Sequence, residues 1–541
     1  MTRGQHSRQN WREPQNLRDP EQRAWAWSLP LRSKRQALHC PEPALPPRQR
    51  PEPQLLGAQI QSGTLWRVET LAAPFALAAL AGLALAACSQ AGRIIGQPPE
   101  ELPLPPGFAV AFNHRADHHY RSPISQQERA GDDLEAMLLA AIDSARNEVL
   151  VAVQELTLPR VAEALVARHK QGLRVRVVLE NTYSSPWSQE HAADLSPHLR
   201  LRRQQLMALA DRDHNGRLSP QEIIRGDAVA ILQRGAVPLL DDSEDGSAGS
   251  GLMHSKFLVV DRRLVVSGSA NFTPSCTHGD PDDPRTRGNV NHLLRIESAA
   301  LAERFVAEFN RLWGDGPGGK TDSQFGLSKQ ERGVDTVMVG PTRVRLLFAP
   351  HRRSDPHNGL NLLAQVLASS KHRLDLALFV FSAQNLADTV GQLKAKGVKI
   401  RLLADPGFAN RPFSEVLDLL GLALPDRRCK LEAGNRPLTA PLDGVGTPRL
   451  AGGDKLHHKL AVIDNRSVIT GSFNWSPSAA HQNDEVLMII DSPQLAAHFT
   501  REIDRLWAGA ELGVNQRLQR RLAQGKQQCG SGEARIATNR G

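Results

Sequence analysis

Cysteine is scarce in this chain: five residues in 541. Cys40 and Cys88 belong to an N-terminal leader, which leaves Cys276, Cys429 and Cys529. These three have no metal-binding spacing, which excludes a zinc-thiolate centre, and at most one disulfide can form among them within a chain. Positive charge is scarcer than the total implies. The formal net charge is +9, but residues 1–87 hold 11 Lys+Arg against 6 Asp+Glu, so +5 of it lies there. The +4 left to residues 88–541 does not mark a nucleic-acid binder by charge alone. Methionine is absent between Met1 and Met137, so a start closer to the leader's apolar run needs a non-standard codon near Leu65 or Val68.

What is present begins with that run. Residues 1–64 are rich in Arg, Pro and Gln with little periodicity, and read as disordered or as a mis-assigned extension. Residues 65–88 read as a signal. The stretch 71–88, LAAPFALAALAGLALAAC, has no charged residue and about the length of an export-signal core or one membrane span. Its end, Leu85-Ala86-Ala87-Cys88, resembles a bacterial lipobox, which implies lipidation at Cys88. A plain membrane anchor is the alternative. Either way the expectation is an exported protein, held at the cell envelope or periplasmic membrane as a lipoprotein, or secreted. A Pro-rich linker, 89–107, follows.

The rest of the chain says everything twice. LEAMLLAAIDSARNEVLVAVQEL (134–156) and LNLLAQVLASSKHRLDLALFVF (360–381) each read as a helix followed by a buried strand. KQGLRVRVVLE (170–180) parallels AKGVKIRLLAD (395–405), and RFVAEFNRLWGDG (304–316) parallels HFTREIDRLWAGA (498–510). Strands alternating with helices imply two α/β units with buried sheets. The expected units are 108–318 and 341–512, with a linker at 319–340 and a basic flexible tail at 513–541.

The most pointed repetition is MHSKFLVVDRRLVVSGSANFTPS (253–275) against LHHKLAVIDNRSVITGSFNWSPS (456–478). They align without a gap and agree at 11 of 23 positions. The polar residues persist while the apolar ones drift, as expected of a duplicated site. Histidine can attack phosphorus as imidazole and donate a proton as imidazolium near neutral pH. Displacement at a phosphodiester needs one of each, so His254 and His457 suit it. Lys256 and Lys459 supply positive charge to the non-bridging oxygens, and Ser269, Asn271, Ser472 and Asn474 supply hydrogen bonds. Asp261 and Asp464 lie five positions beyond the lysine, on the other strand face, which favours a structural role. His458 reads as a packed neighbour.

H-x-K-x4-D followed by G-S-x-N, present twice, resembles the phospholipase D superfamily. The resemblance implies two phospholipase D-like α-β-α sandwiches packed as a pseudo-twofold dimer within one monomeric chain. It implies a phosphohistidine intermediate resolved by water or an alcohol, with no catalytic cofactor. In this family a downstream carboxylate hydrogen-bonds the histidine. Glu485 is expected to serve His457. For His254 the candidates are Asn291, Asp280, Asp282 and Asp283. A carboxylate favours imidazolium, so His254 is expected as nucleophile and His457 as proton donor.

A second motif, DRDHNGRLSPQE (211–222), has the order of an EF-hand loop. Asp211, Asp213 and Asn215 take positions 1, 3 and 5, with Gly216 at the turn. Arg217 offers its carbonyl, Ser219 takes position 9 and Glu222 closes the shell. Helical sequence flanks it, so a helical insertion at about 200–235 carrying a structural calcium ion is expected. The leading functional expectation is hydrolysis of a phospholipid head-group diester. A metal-independent DNA or RNA endonuclease of the same superfamily is the alternative, since GSFNW also resembles the nuclease branch. A phosphatidyltransferase is disfavoured because the synthase branch typically carries Gly-Gly at Gly268-Ser269 and Gly471-Ser472. A catalytically silent lipid- or nucleic-acid-binding protein is disfavoured by the intact histidines and lysines.

Overall fold

The computed structural model describes residues 101–246, 251–280, 283, 285–330, 332–530 and 535–536. The leader, Cys88 and Asp282 lie outside the described residues. Among those described, no helix is long and apolar enough to cross a membrane. The elements below belong to one compact unit that includes residues 102–541.

Two mixed sheets dominate. The first runs Phe108–Phe112, His292–Glu297, Leu264–Gly268, Lys256–Val260, Glu148–Val153, Arg174–Leu179, Leu239–Asp241. The second has at its centre Glu485–Asp491, Ser467–Gly471, Lys459–Ile463, Arg373–Leu378, Lys399–Ala404, Val445–Thr447, the same order from corresponding sequence. In each, three neighbouring strands pair in parallel and the lysine strand joins the first of them antiparallel. The EVLVAV strand at 148–153 is buried throughout, as a strand covered on both faces must be.

Helix starts repeat as well. Ser298 and Ser492 accept the N–H of Leu301 and Leu495 to cap the closing helices Ala299–Trp313 and Pro493–Trp507. Asp261 and Asp464 occupy the hairpin turns after the lysine strands, at φ +49° and +50°. Asp261 accepts backbone N–H groups of Arg146, Asn147 and Glu148. Asp464 does the same for Lys371, His372 and Arg373. Each motif aspartate thus ties its hairpin to the neighbouring strand.

The core has three layers. One apolar cluster belongs to the first sheet's outer face and includes Val151, Leu165 and Leu258. Another belongs to the second sheet's outer face, with Leu376, Leu386 and Ile469. The third lies between the sheets and draws on both, through Phe257, Phe305, Val486 and Phe499 among others.

Two expectations change. Residues 335–339, assigned to the linker, form the strand Asp335–Val339 on the second sheet. Within that linker, Lys329 is buried between Glu308 and Asp484, so the connection is stitched to both halves. The tail expected to be flexible contains the helix Gln516–Cys529. Its Leu518 packs into the second sheet's cluster, and Cys529 is disulfide-bonded to Cys429. The polar composition hid a single buried leucine and one covalent tie.

The region expected as an insertion forms helices Pro197–Ala210, Pro220–Gly226 and Ala228–Arg234. Trp187, Leu206 and Ala210 give it a small core.

Candidate active site

His254 and His457 each sit two residues before a lysine that opens a buried strand. They are 2% and 1% exposed. What brings them together is strand contact between the halves. Met253 bridges to Asp484 and Val290 bridges to Leu456, both parallel. The N–H of His254 donates to the Asp484 carbonyl and that of His457 to the Val290 carbonyl. The residue after each bridge is therefore a motif histidine facing an orienting group of the other half.

The pairing is crossed relative to expectation. Glu485 lies 2.8 Å from Nδ1 of His254, and Asn291 Oδ1 lies 2.9 Å from Nδ1 of His457. Glu485 serves the first histidine and Asn291 the second, because the orienters are exchanged across the interface. Asn291 Nδ2 donates to the carbonyls of Cys276 and Asn289, and Ser269 Oγ donates to Oδ1. Those partners orient the amide, so His457 Nδ1 carries the proton. Both rings are held through Nδ1, which leaves Nε2 for chemistry. Nδ1 of the two rings is thus taken by Glu485 and Asn291, and Asp283 pairs with Arg285.

The serines also take a different place. Ser269 accepts the N–H of His292 while donating to Asn291. Ser472 accepts the N–H of Val486 while donating to Glu485 at 2.6 Å. They hold the orienting residues, and the hydrogen bonds they make here run to those groups and to the strand backbone. Asn271 and Asn474 fit the expectation better, since Oδ1 of each is buried without a partner. Such groups are costly unless a ligand or an amide rotation satisfies them.

Lys256 Nζ donates to the His254 carbonyl at 2.6 Å, and Lys459 Nζ to the His457 carbonyl at 2.9 Å. Gln154, absent from the expected site, accepts from Lys256 at 3.4 Å and from Asn271 at 3.2 Å. A polar residue closing the apolar run EVLVAV was the available signal. On the second half Phe379 lies against Lys459 and His457 instead.

Burial controls the electrostatics. It pushes His254 and His457 well below the usual histidine range, and both lysines reinforce the shift. It brings Lys256 down to about 7, opposed by Glu485. It raises Glu485 to about 8, opposed by Lys256. The His254–Glu485 pair thus resists holding two separate charges in a dry site and shares one proton along its hydrogen bond. A cavity of about 320 Å3 is lined by Glu155, Ser275, Asn289 and Asp454, together with Arg202 of the insertion, which is ion-paired to Glu155.

The loop 211–222 brings carboxylate oxygens of Asp211, Asp213 and Glu222 within 4.8 Å of one another. Gly216 turns at φ +77°. Ser219 and Glu222 form a capping box at the helix start. Asn215 Oδ1 accepts the Arg217 N–H.

A family model described as "Cardiolipin synthase, PLD-like domain" matches residues 138–313 and 363–507, more than half of the chain. Mitochondrial cardiolipin hydrolase of Chlamydomonas reinhardtii is 28% identical over 148 residues, 27% of this chain and 57% of that protein. The Homo sapiens protein of that name is 29% identical over 154 residues, 28% of this chain and 53% of its own length. Phospholipase D of Rickettsia bellii (strain RML369-C) is 25% identical over 155 residues, 29% of this chain and 64% of the relative. The match thus spans less than two thirds of each of these relatives. Phosphatidylserine synthase from Haemophilus influenzae Rd KW20 aligns at 11% identity and a TM-score of 0.47, covering 76% of this chain and 88% of that one. Since each matched block contains one H-x-K-x4-D and G-S-x-N set, the chain belongs to the phospholipase D-like domain family.

Proposed function

We propose that the protein is a phosphodiesterase acting on a phospholipid head-group diester, with the two halves forming a pseudo-twofold pair around one shared centre. The observation that carries this reading is the crossed pairing of His254 with Glu485 and His457 with Asn291. Each half lacks an orienter without the other, as one two-histidine centre requires. The names of the relatives, cardiolipin hydrolase and phospholipase D, favour a lipid substrate.

His254 Nε2 attacks phosphorus with its lone pair while the ester bond to the departing alcohol breaks. The bound diester anion favours a second proton on His457, taken up at Nε2, and His457 donates that proton to the departing oxygen while keeping the one on Nδ1. A phosphoryl group on Nε2 with the proton kept on Nδ1 leaves the ring cationic, and Glu485 lies where it compensates that charge. We assign the roles expected from the sequence, but on this charge argument, since Glu485 pairs with His254 and not with His457. His457 then removes a proton from water, the water oxygen bonds phosphorus, the N–P bond breaks and His254 is restored. Lys256, Lys459, Asn271 and Asn474 hold the non-bridging oxygens. This route needs no catalytic cofactor.

Acid-quenched labelled phospholipid is expected to leave phosphate on His254 only, read by peptide mapping. Label on His457 reverses the roles. Turnover of labelled single-stranded DNA, with none of phospholipid, would replace the lipid reading by the nuclease one. His254→Ala or His457→Ala should each lower turnover by about a hundredfold or more with the fold retained. Near-full activity in either would refute the shared centre.

The loop 211–222 fits a structural calcium ion, held by Asp211, Asp213, Asn215, the Arg217 carbonyl, Ser219 and Glu222. The leader supports export and lipidation at Cys88, and the Cys429–Cys529 disulfide suits an oxidising compartment. Mass spectrometry of the membrane fraction finding an N-terminus at Met1 would refute processing at Cys88.

A further inference from the structure

The two halves share their motif residues, but besides the orienters Glu485 and Asn291 a second corresponding position differs in kind. Gln154 directly follows the strand Glu148–Val153, and Phe379 directly follows Arg373–Leu378. The Gln154 N–H donates to the Ser255 carbonyl, and the Phe379 N–H donates to the His458 carbonyl. The backbones are thus anchored alike, and both side chains reach the motif lysine. Gln154 places an amide oxygen between Lys256 and Asn271. Phe379 places a ring 4.8 Å from Lys459 Nζ and 4.7 Å, centroid to centroid, from the ring of His457.

What lies beyond differs in the same sense. After Gln154 comes Glu155, ion-paired with Arg202 of the insertion at 2.6 Å. After Phe379 comes Val380, and Phe379 packs edge-on against Phe408 at 4.6 Å, with Phe413 alongside. Against the motif lysine the first half sets an amide and the second an aromatic ring, with the buried Asp405 bonded to the Leu456 and Phe408 N–H groups behind it. No symmetric substrate needs that.

We propose that Phe379 is a specificity-determining residue that packs the carbon skeleton of the departing alcohol while His457 protonates its oxygen. This rests on the reading of His457 as proton donor. The departing oxygen must come within hydrogen-bond reach of His457 Nε2, so its first carbons meet whatever packs against that imidazole. A phenyl wall offers no partner to a hydroxyl, and a buried hydroxyl without one is costly. The departing alcohol therefore carries hydrocarbon or an aromatic ring next to its ester oxygen. Polyhydroxylated alcohols are selected against.

The test compares two lipids with the same acyl chains in the same mixed micelles, phosphatidylglycerol and phosphatidylbenzyl alcohol, through release of phosphatidic acid by the full chain. The wild type should favour the benzyl ester in kcat/KM by about tenfold, and Phe379→Gln, the residue used at the corresponding place, should bring the ratio to about one. Phe379→Leu keeps hydrocarbon and should keep the direction of preference. If Phe379→Gln does not fold, the wild-type and Phe379→Leu ratios decide: a preference for the glycerol ester in either overturns the inference. So does a wild-type ratio that Phe379→Gln leaves unchanged. Release from neither lipid removes the phospholipase reading itself, and this inference with it.

Discussion

At the residue scale the motif divides into groups that act and groups that hold. Asp261 and Asp464 hold: each gathers three backbone N–H groups at a hairpin turn. Those bonds keep both carboxyls below the usual range despite the opposing effect of burial. Because the folded-state pKa is lowered, the stabilisation is present above the unfolded carboxylate pKa and is lost as pH falls through the lower folded value. Asp261→Asn should cost about 2 kcal/mol of stability at neutral pH, while the specific activity of folded protein stays near wild type. Denaturant titration beside initial rates measures both, and a large activity loss at unchanged stability would contradict it.

On the proposed reading Lys256 holds the phosphate, and burial weakens its hold on its proton in the free protein. With its pKa brought to about 7 by burial, kcat/KM should fall as pH rises through that region, since this parameter reports the free enzyme. A bound diester anion favours the ammonium, so the falling limb of kcat should lie at higher pH. Initial-rate profiles between pH 5 and 10 decide this, and a kcat limb on the acid side of the kcat/KM limb would contradict it.

At the scale of elements, two pieces carry stability without chemistry. The loop 211–222 clusters three carboxylates away from both histidines in sequence and outside the lining of the 320 Å3 cavity. Calcium binding the folded state only should stabilise by about 2.7 kcal/mol at a hundredfold excess over its dissociation constant. Glu222→Gln should erase that calcium-dependent rise in Tm and leave turnover intact. Immediate loss of turnover on chelation, in protein that stays folded, would place calcium in the active centre.

The helix Gln516–Cys529 is the second such piece. It is tied down by Leu518, by the bond from Arg521 to the Asn410 carbonyl and by the disulfide. Reduction, or Cys529→Ser, should expose residues 513–541 to trypsin while the rest resists. Limited proteolysis with mass mapping reads this directly, and unchanged resistance would mean the non-covalent contacts suffice.

For the whole molecule, the decisive feature is the central apolar layer that both sheets share. Lys329 adds a tie by pairing with Glu308 of one half and Asp484 of the other. Two independently cored domains would melt separately, whereas halves that lose a common core together should unfold in one transition. Calorimetry is expected to give a single peak for residues 101–541, and two resolved peaks would contradict this.

The amino-acid sequence by itself determined the doubled α/β pattern, because apolar periodicity and cap residues are local properties of the chain. It determined the duplicated histidines and lysines, because a gapless repeat keeps polar side chains only where something uses them. The structural part for Asp261 and Asp464 was legible too, from their odd offset on the strand. Which residue orients which histidine was not. Glu485 is 28 residues from His457 in the chain, and the local reading paired them. Only the docking of the two sheets, with Met253 beside Asp484 and Val290 beside Leu456, delivered each orienter to the other half's histidine. Ser269 and Ser472, by contrast, reach the orienters of their own halves, from the neighbouring strand of the same sheet. Strand neighbours follow from adjacency along the chain, but partners across an interface follow from how two finished surfaces fit, and tertiary structure alone decides that.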